Sequence, residues 1–240
     1  MRIANYVQKQ QKNRVDQSSV EKDLDSVQLL KKEIDQAQDK KLSQLISHHQ
    51  CICVIDQVLS LARYNNKYYL LQYQVLSEEY IYQCIVFGFS RFGKLVLSPP
   101  LSITEYIQLG FMEDADTSIL LSEKELLLDY FSTDIEQDNG QIYLKSLPMI
   151  IMNYVPSFLI ERIPLFVFNL ITQIDWQDEI SCLDGLAKLF ATLYYCTTKE
   201  DWELLIQCMY KNQEFKASKY LAEQGYIVEL DIPTEMTLFK

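Results

Sequence analysis

Several short segments carry residue types at spacings that could support chemistry. Gly88-Phe89-Ser90-Arg91-Phe92-Gly93-Lys94 has the spacing of a phosphate-binding loop, in which backbone N–H groups cradle a polyphosphate and the lysine neutralises it. The next residue should then be Ser or Thr to hold magnesium, and the loop should open a helix; here Leu95 and a strand-like run follow, so a turn between strands is expected. His48-His49-Gln50-Cys51-Ile52-Cys53 gathers both histidines of the chain and two of its six cysteines, the residue types that hold zinc. No distal ligand pair accompanies it, and Cys-x-Cys is what alternation of small buried residues along a strand produces. Residues 134–140 alternate like a calcium loop, but Gly140 falls one position late and no closing Glu follows. The acidic pairs Glu78-Glu79 and Asp178-Glu179 have no basic or histidine companion. No nucleophile–base or metal constellation stands up, so residue chemistry points to binding or assembly, not to an enzyme.

The elements that must position these residues follow from periodicity and punctuation. Val20, Leu24, Val27, Leu30, Ile34, Ala37 and Leu45 recur at close to 3.6 residues after a capping Ser19, which predicts one amphipathic helix over 19–46 behind a polar, Gln-rich linker. Cys51, Cys53 and Ile55 are expected on one side of a strand. Asn65-Asn66 joins 58–64 and 67–73 as a hairpin, and Asp138-Asn139-Gly140 joins 131–137 and 141–146 as another. Short helices are predicted at 78–84 and 104–109, with a third at 122–130 behind a Ser122/Glu125 capping box. A short strand at 95–97 ends at Ser98-Pro99-Pro100. Helices at 179–195 and 199–211 follow, the second capped by Thr198, and a strand at 226–230 closes the chain. Strands and helices do not alternate regularly, which makes the fold class α+β, with small mixed or antiparallel sheets covered by helices.

Composition narrows the class further. The 240 residues, 48% of them hydrophobic, suffice to bury a real core. Residues 1–50 hold nine Lys/Arg against seven Asp/Glu, leaving 13 against 26 in the remainder, a body of net −13 behind a mildly basic leader. Such a body repels nucleic-acid phosphates, so little direct DNA binding is expected of it. There is no apolar signal segment, and the most apolar stretch, 147–171, is broken by Pro148, Pro156, Pro164 and Glu161-Arg162; a cytoplasmic protein with no membrane contact is expected, its cysteines reduced.

The order Cys51–Leu59, Lys67–Leu71, Gly93–Pro99, Ile142–Pro148 and Asp201–Gln207 resembles the C-terminal dimerisation domain of the DNA mismatch-repair protein MutL over about residues 48–240. The resemblance implies a homodimer with a linker at 1–46, a dimerisation subdomain made of 47–92 plus 175–240, and a regulatory subdomain, 93–174, inserted between them. It implies partners: a mismatch-recognition protein, a nicking endonuclease, a helicase and a sliding clamp. Nuclease-active members carry a metal motif of Asp-Gln-His-Ala-x-x-Glu-x-x-x-x-Glu type after the second strand. Here that register reads Gln72-Tyr73-Gln74-Val75-Leu76-Ser77-Glu78 with Gln83 last, retaining only Glu78. The Cys-x-His element near the family's C-terminus is missing as well, which places the chain in the non-nuclease branch, with no catalytic residue, metal or cofactor of its own.

Two further implications concern surfaces. The family's Gln-led clamp-binding motif would fall at Lys94, Leu95, Val96 and Leu97, where the apolar part survives and the Gln does not. An apolar dimer surface would draw on Ile52, Val54, Tyr69 and Leu71 from the sheet and Val228 and Leu230 from the last strand, each with ordinary core as the alternative. The family's ATPase lies upstream, so the chain is either an excised domain or a free-standing relative. The rival reading is an unrelated acidic adaptor or immunity-type inhibitor that uses its charge to steer a basic partner.

Overall fold

The computed structural model describes residues 7–9, 24–109, 117–212 and 215–231. The chain is α+β, with two four-stranded antiparallel sheets, and it divides into two compact units: residues 1–31 with 84–194, and residues 32–83 with 195–240. The expected discontinuous layout placed its boundaries at 92/93 and 174/175; the division falls instead at 83/84 and 194/195. The reason is packing of residues 179–194, whose Phe190 stacks on Phe131 at 5.0 Å between ring centroids and meets Phe166 at 4.9 Å, all in the first unit.

In the first unit, β1 (Val7–Lys9), β5 (Gly93–Ser102), β7 (Gln141–Met149) and β6 (Asp134–Asp138) form a sheet in that order. The polar opening of the chain was expected to be linker throughout, yet residues 7–9 pair with Leu95–Leu97. The β6–β7 turn is the one the sequence announces: Asn139 and Gly140 both have positive φ, 49° and 80°. Strand β5 continues past Ser98-Pro99-Pro100, where a register irregularity between Val96 and Leu101 accommodates the prolines. Helices α4 (Ile103–Leu109), α5 (Ser118–Ser122), α6 (Lys124–Phe131), α7 (Leu159–Thr172) and α8 (Glu179–Tyr194) complete the unit. The Ser122/Glu125 capping box is not formed. Ser122 ends α5 and its hydroxyl donates to the Ile119 carbonyl at 3.0 Å. Helix α7 was hidden in the sequence by its prolines. Its buried Leu159, Ile163, Phe166, Val167 and Leu170 follow helical spacing and outweigh the single backbone bond that Pro164 removes.

In the second unit, β2 (Gln50–Val54), β3 (Leu59–Tyr64), β4 (Lys67–Gln72) and β8 (Ile227–Leu230) form the other sheet in that order. Asn65 and Asn66, both at positive φ, make the tight β3–β4 turn. The predicted 19–46 helix is two: α1 (Asp25–Ala37), which crosses the division, and α2 (Lys40–His48). Between them Asp39 turns extended and caps α2, accepting from the backbone N–H groups of Lys41 at 2.8 Å and Leu42 at 3.1 Å. The Ser19 cap lies outside the described residues. From 24 onward this leader is part of the fold and not a linker, since Val27, Leu30, Ile34, Leu45 and Ile46 are buried. Helix α3 (Tyr73–Gly88) is much longer than the predicted 78–84 and also crosses the division; α9 (Lys199–Asn212) and α10 (Lys219–Glu223) close the unit. Thr198 caps α9 as expected, its hydroxyl accepting from Asp201 N–H at 3.1 Å.

Candidate functional site

The site to test is the passage from β4 into α3, where the metal motif of nuclease-active relatives would lie. The hairpin delivers Gln72 to the helix start, and Tyr73, Gln74, Ser77 and Gln83 after it are held by contacts within the second unit. Tyr73 is buried, stacks on Trp202 at 5.6 Å and donates its hydroxyl to the Asp56 carbonyl at 3.4 Å. Gln74 donates its amide to the Gln57 carbonyl at 2.8 Å. Ser77 donates to the Gln74 carbonyl at 2.7 Å and accepts from Cys196 N–H at 2.9 Å. Gln83, at the closing acid's position, is buried and clips the chain at Lys216, donating to its carbonyl at 3.0 Å and accepting from its N–H at 2.9 Å. An amide can make both bonds at once; a carboxylate cannot donate the first. Glu78 is half-buried, and burial, then the neighbouring Glu79, pushes its carboxyl above the ordinary range. One retained acid of the motif, among amides and hydroxyls where the others would stand, is a poor donor set for a metal pair. Among the described residues no group of three His, Cys, Asp or Glu side chains could hold a metal.

The His48–Cys53 cluster is dispersed by the fold. His49 is buried, donates Nδ1–H to the Ile46 carbonyl at 2.8 Å and lies parallel to Trp202; burial pushes its pKa down to about 4. Tyr210 donates its hydroxyl to the His49 carbonyl. A bulge between Cys51 and Cys53 places them opposite Ala62 and Leu61, adjacent residues of β3, so the two thiols take opposite faces of the sheet and not the single side that plain alternation predicts. The Gly88–Lys94 segment links the end of α3 to the start of β5. That is helix to strand, the reverse of a phosphate-binding loop, and not the turn between strands that was expected.

The clamp-binding candidates are also accounted for. Leu95 and Leu97 are buried, and Leu95 and Val96 pair with Leu147 and Ser146 on one side of β5 and with Lys9 and Gln8 on the other. Lys94 lies 3.9 Å from the Asp134 carboxylate. A strand with both edges paired and its leucines in the core has nothing to offer a peptide-binding clamp.

The proposed dimer-surface residues divide by face. Register places Ala62, Tyr69 and Glu229 in one row across β3, β4 and β8, with Ser60, Leu71 and Ile227 beside it. Tyr69 (8% exposed) and Leu71 (0%) therefore belong to the core and are unavailable to a partner. Val54, opposite Ser60, is half-buried on that same side. The other face carries Cys53, Leu61, Leu70 and Val228 in one row across all four strands, with Tyr68 and Leu230 opposed beside it. Val228 is 40% exposed and Leu230, Leu61 and Leu70 are half-buried; Ile52, at the bulge, is 45% exposed, and Ile55 and Val58 stand exposed in the β2–β3 turn. Sequence reasoning missed Leu61, Leu70 and Cys53 because alternation marks two faces without saying which one is covered.

The family description that matches residues 23–230 is that of the DNA mismatch repair protein Mlh1 C-terminus. The DNA mismatch repair protein MLH1 of Saccharomyces cerevisiae is 28% identical over 201 residues, covering 75% of this chain and 26% of its own length. A MutL protein homologue of Schizosaccharomyces pombe is 29% identical over 181 residues, covering 72% of this chain and 26% of its own length. The DNA mismatch repair protein Mlh1 of Dictyostelium discoideum is 29% identical over 164 residues, 61% of this chain and 18% of its own. The chain thus spans about a quarter or less of the relatives it matches.

Proposed function

The chain belongs to the DNA mismatch repair protein Mlh1 C-terminus family, and from that premise we propose that it is the non-catalytic dimerisation and partner-docking domain of a MutL-like mismatch-repair protein. The observation that carries this reading is the apolar row Cys53–Leu61–Leu70–Val228 on the face of the second unit's sheet that its own core does not use. An antiparallel sheet whose free face meets only water alternates apolar and polar residues; this one is apolar on both sides. A second copy would cover that face through the same residues on each chain, as a two-fold interface requires. The pairing would raise the effective concentration of whatever the two chains carry beyond this domain. A mismatch-recognition protein, a nicking endonuclease and a helicase would dock elsewhere on the surface, and DNA would find little attraction to an acidic body. The inhibitor reading gives way, because it required a protein unrelated to this family.

Light scattering at micromolar concentration tests the dimer: a mass near twice 28.2 kDa supports it and a strict monomer overturns it. The absence of catalysis is tested with manganese and supercoiled DNA. No nicking is expected, and cleavage abolished by Glu78→Ala would show that the degenerate motif still works. No helix among the described residues is long and apolar enough to cross a membrane.

A further inference from the structure

The free face of the second unit's sheet carries a charge pattern that restricts how a second copy can lie on it, an inference that rests on the dimer reading above. The Cys53–Leu61–Leu70–Val228 row crosses the middle of the face; along β3, Leu59 points outward on one side of that row and Arg63 on the other. Arg63 is the one charged residue that the strands place on this face. It is exposed, donates to the Asn66 side chain at 3.0 Å and has no carboxylate partner among the described residues. Asp56 marks the opposite end of β3. It lies exposed in the β2–β3 turn, where its Oδ1 accepts from the backbone N–H groups of Val58 and Leu59, both at 2.8 Å. Those bonds hold its carboxyl below the ordinary range, and no cation pairs with it among the described residues.

A lone cation thus stands at one end of the face and a lone anion beyond the other, with the apolar row between them. Arg63 and Leu59 are roughly 13 Å apart along the strand. Two separate sheets pack with their strands nearly aligned, since orthogonal packing belongs to sheets that share strands at their corners. A two-fold axis between the sheets therefore runs either along the strands or along the row. With the axis along the strands, Arg63 of both chains falls at one end and Asp56 of both at the other, so like charges gather. Glu229, at Arg63's own end, offers no relief because it already pairs with Lys67. With the axis along the row, the Arg63 end of each chain lies over the Leu59 end of the other, beside an unpaired carboxylate.

We propose that a second copy lies on this face with its strands antiparallel to the first, the two-fold axis running along the Cys53–Leu61–Leu70–Val228 row and Arg63 of each chain pairing with Asp56 of the other. Each residue of the row then meets its own counterpart, and the two Cys53 thiols face each other at the β2 edge. Two measurements on the full chain test this. A short bismaleimide should link two chains through Cys53, and Cys53→Ser should abolish the link; strands running parallel would set Cys53 over the partner's Val228 and give none. Dissociation on dilution, followed by light scattering, should occur at about tenfold higher concentration in Arg63→Asp and in Asp56→Arg, where like charges meet twice. An equimolar mixture of these two variants should return to within about twofold of the unmodified protein, because every such contact in the mixed dimer again joins opposite charges. Asp231→Arg, at Arg63's own end of the sheet, should change nothing. Circular dichroism checks each variant, and the cross-link, which needs no change at Asp56, decides the arrangement if Asp56→Arg disturbs its turn. A monomeric unmodified protein removes the dimer reading and this one with it. A dimer that fails to link through Cys53, or whose folded variants do not recover on mixing, overturns the arrangement alone.

Discussion

The two sheets each have four antiparallel strands and each contains a tight turn with asparagine at positive φ, yet they differ in what their outer faces carry. In the first unit, Tyr143 of β7 lies opposite Glu136 of β6, and Lys145 reaches Glu136 in an ion pair; the free face is dressed for water. In the second, the corresponding face is a row of Cys53, Leu61, Leu70 and Val228. Both inner faces are equally apolar, with Leu95 and Leu147 fully buried in one and Ala62 and Leu71 in the other. A sheet reveals its task on the side that folding does not require, because only there is residue choice free of the core.

The largest expected effect separates these outer faces. Leu70→Glu should put a charge in the middle of the second unit's face and weaken dimerisation by about 100-fold or more, converting the scattering mass to that of a monomer. Tyr143→Glu, its counterpart on the first sheet, should leave the mass unchanged. If both variants shift the mass equally, the contrast between the faces has no functional meaning. On the inner faces the two sheets should behave alike: Leu71→Ala and Leu95→Ala should each cost about 2–5 kcal/mol in denaturant unfolding.

Acid should distinguish the units next. His49 lies in the second unit, with a pKa pushed down to about 4 by burial. A histidine held neutral in the folded state binds fewer protons than the unfolded chain does, whose imidazole titrates near 6.5. Its contribution is therefore fully present above about pH 6.5 and falls away as pH drops toward 4, by on the order of 3 kcal/mol at most. The tryptophans report separately, Trp202 in the second unit and Trp176 in the first, and His49→Phe should flatten the acid response of Trp202. The smallest effect concerns a turn. Gly140→Ala, at φ 80° with open space around it, should cost about 1 kcal/mol of stability without changing the dimer mass.

Much of the fold was legible because it rests on local rules. Asn65-Asn66 and Asn139-Gly140 announced both hairpins, Thr198 announced the start of α9, and the order of apolar segments sufficed to suggest the family. Helix α7 was not legible, since Pro164 reads as a breaker until the burial of its apolar stripe is known. The division of the leader at Asp39 escaped for a similar reason. Its spacing of close to 3.6 residues continues through the break, and it is the backbone bond from Asp39 N–H to the Ala217 carbonyl, 2.8 Å, that shows why the chain turns there. At the candidate site, loss of the motif's acids could be counted from the sequence. That Gln83 had become a clip on Lys216, far along the chain, could not.

By itself, then, the sequence determined the α+β class, the turns, the acidic balance and the degenerate motif, all of which depend on residue type and on neighbours a few positions away. Only the tertiary structure decided which leucines face outward. A one-residue bulge at Ile52 set Cys51 and Cys53 on opposite sides, and strand register sent Tyr69 and Leu71 inward and Leu70 and Val228 outward. In the second sheet alternation leaves both faces rich in apolar residues, and which of them is covered is settled by long-range packing that no short stretch of sequence contains.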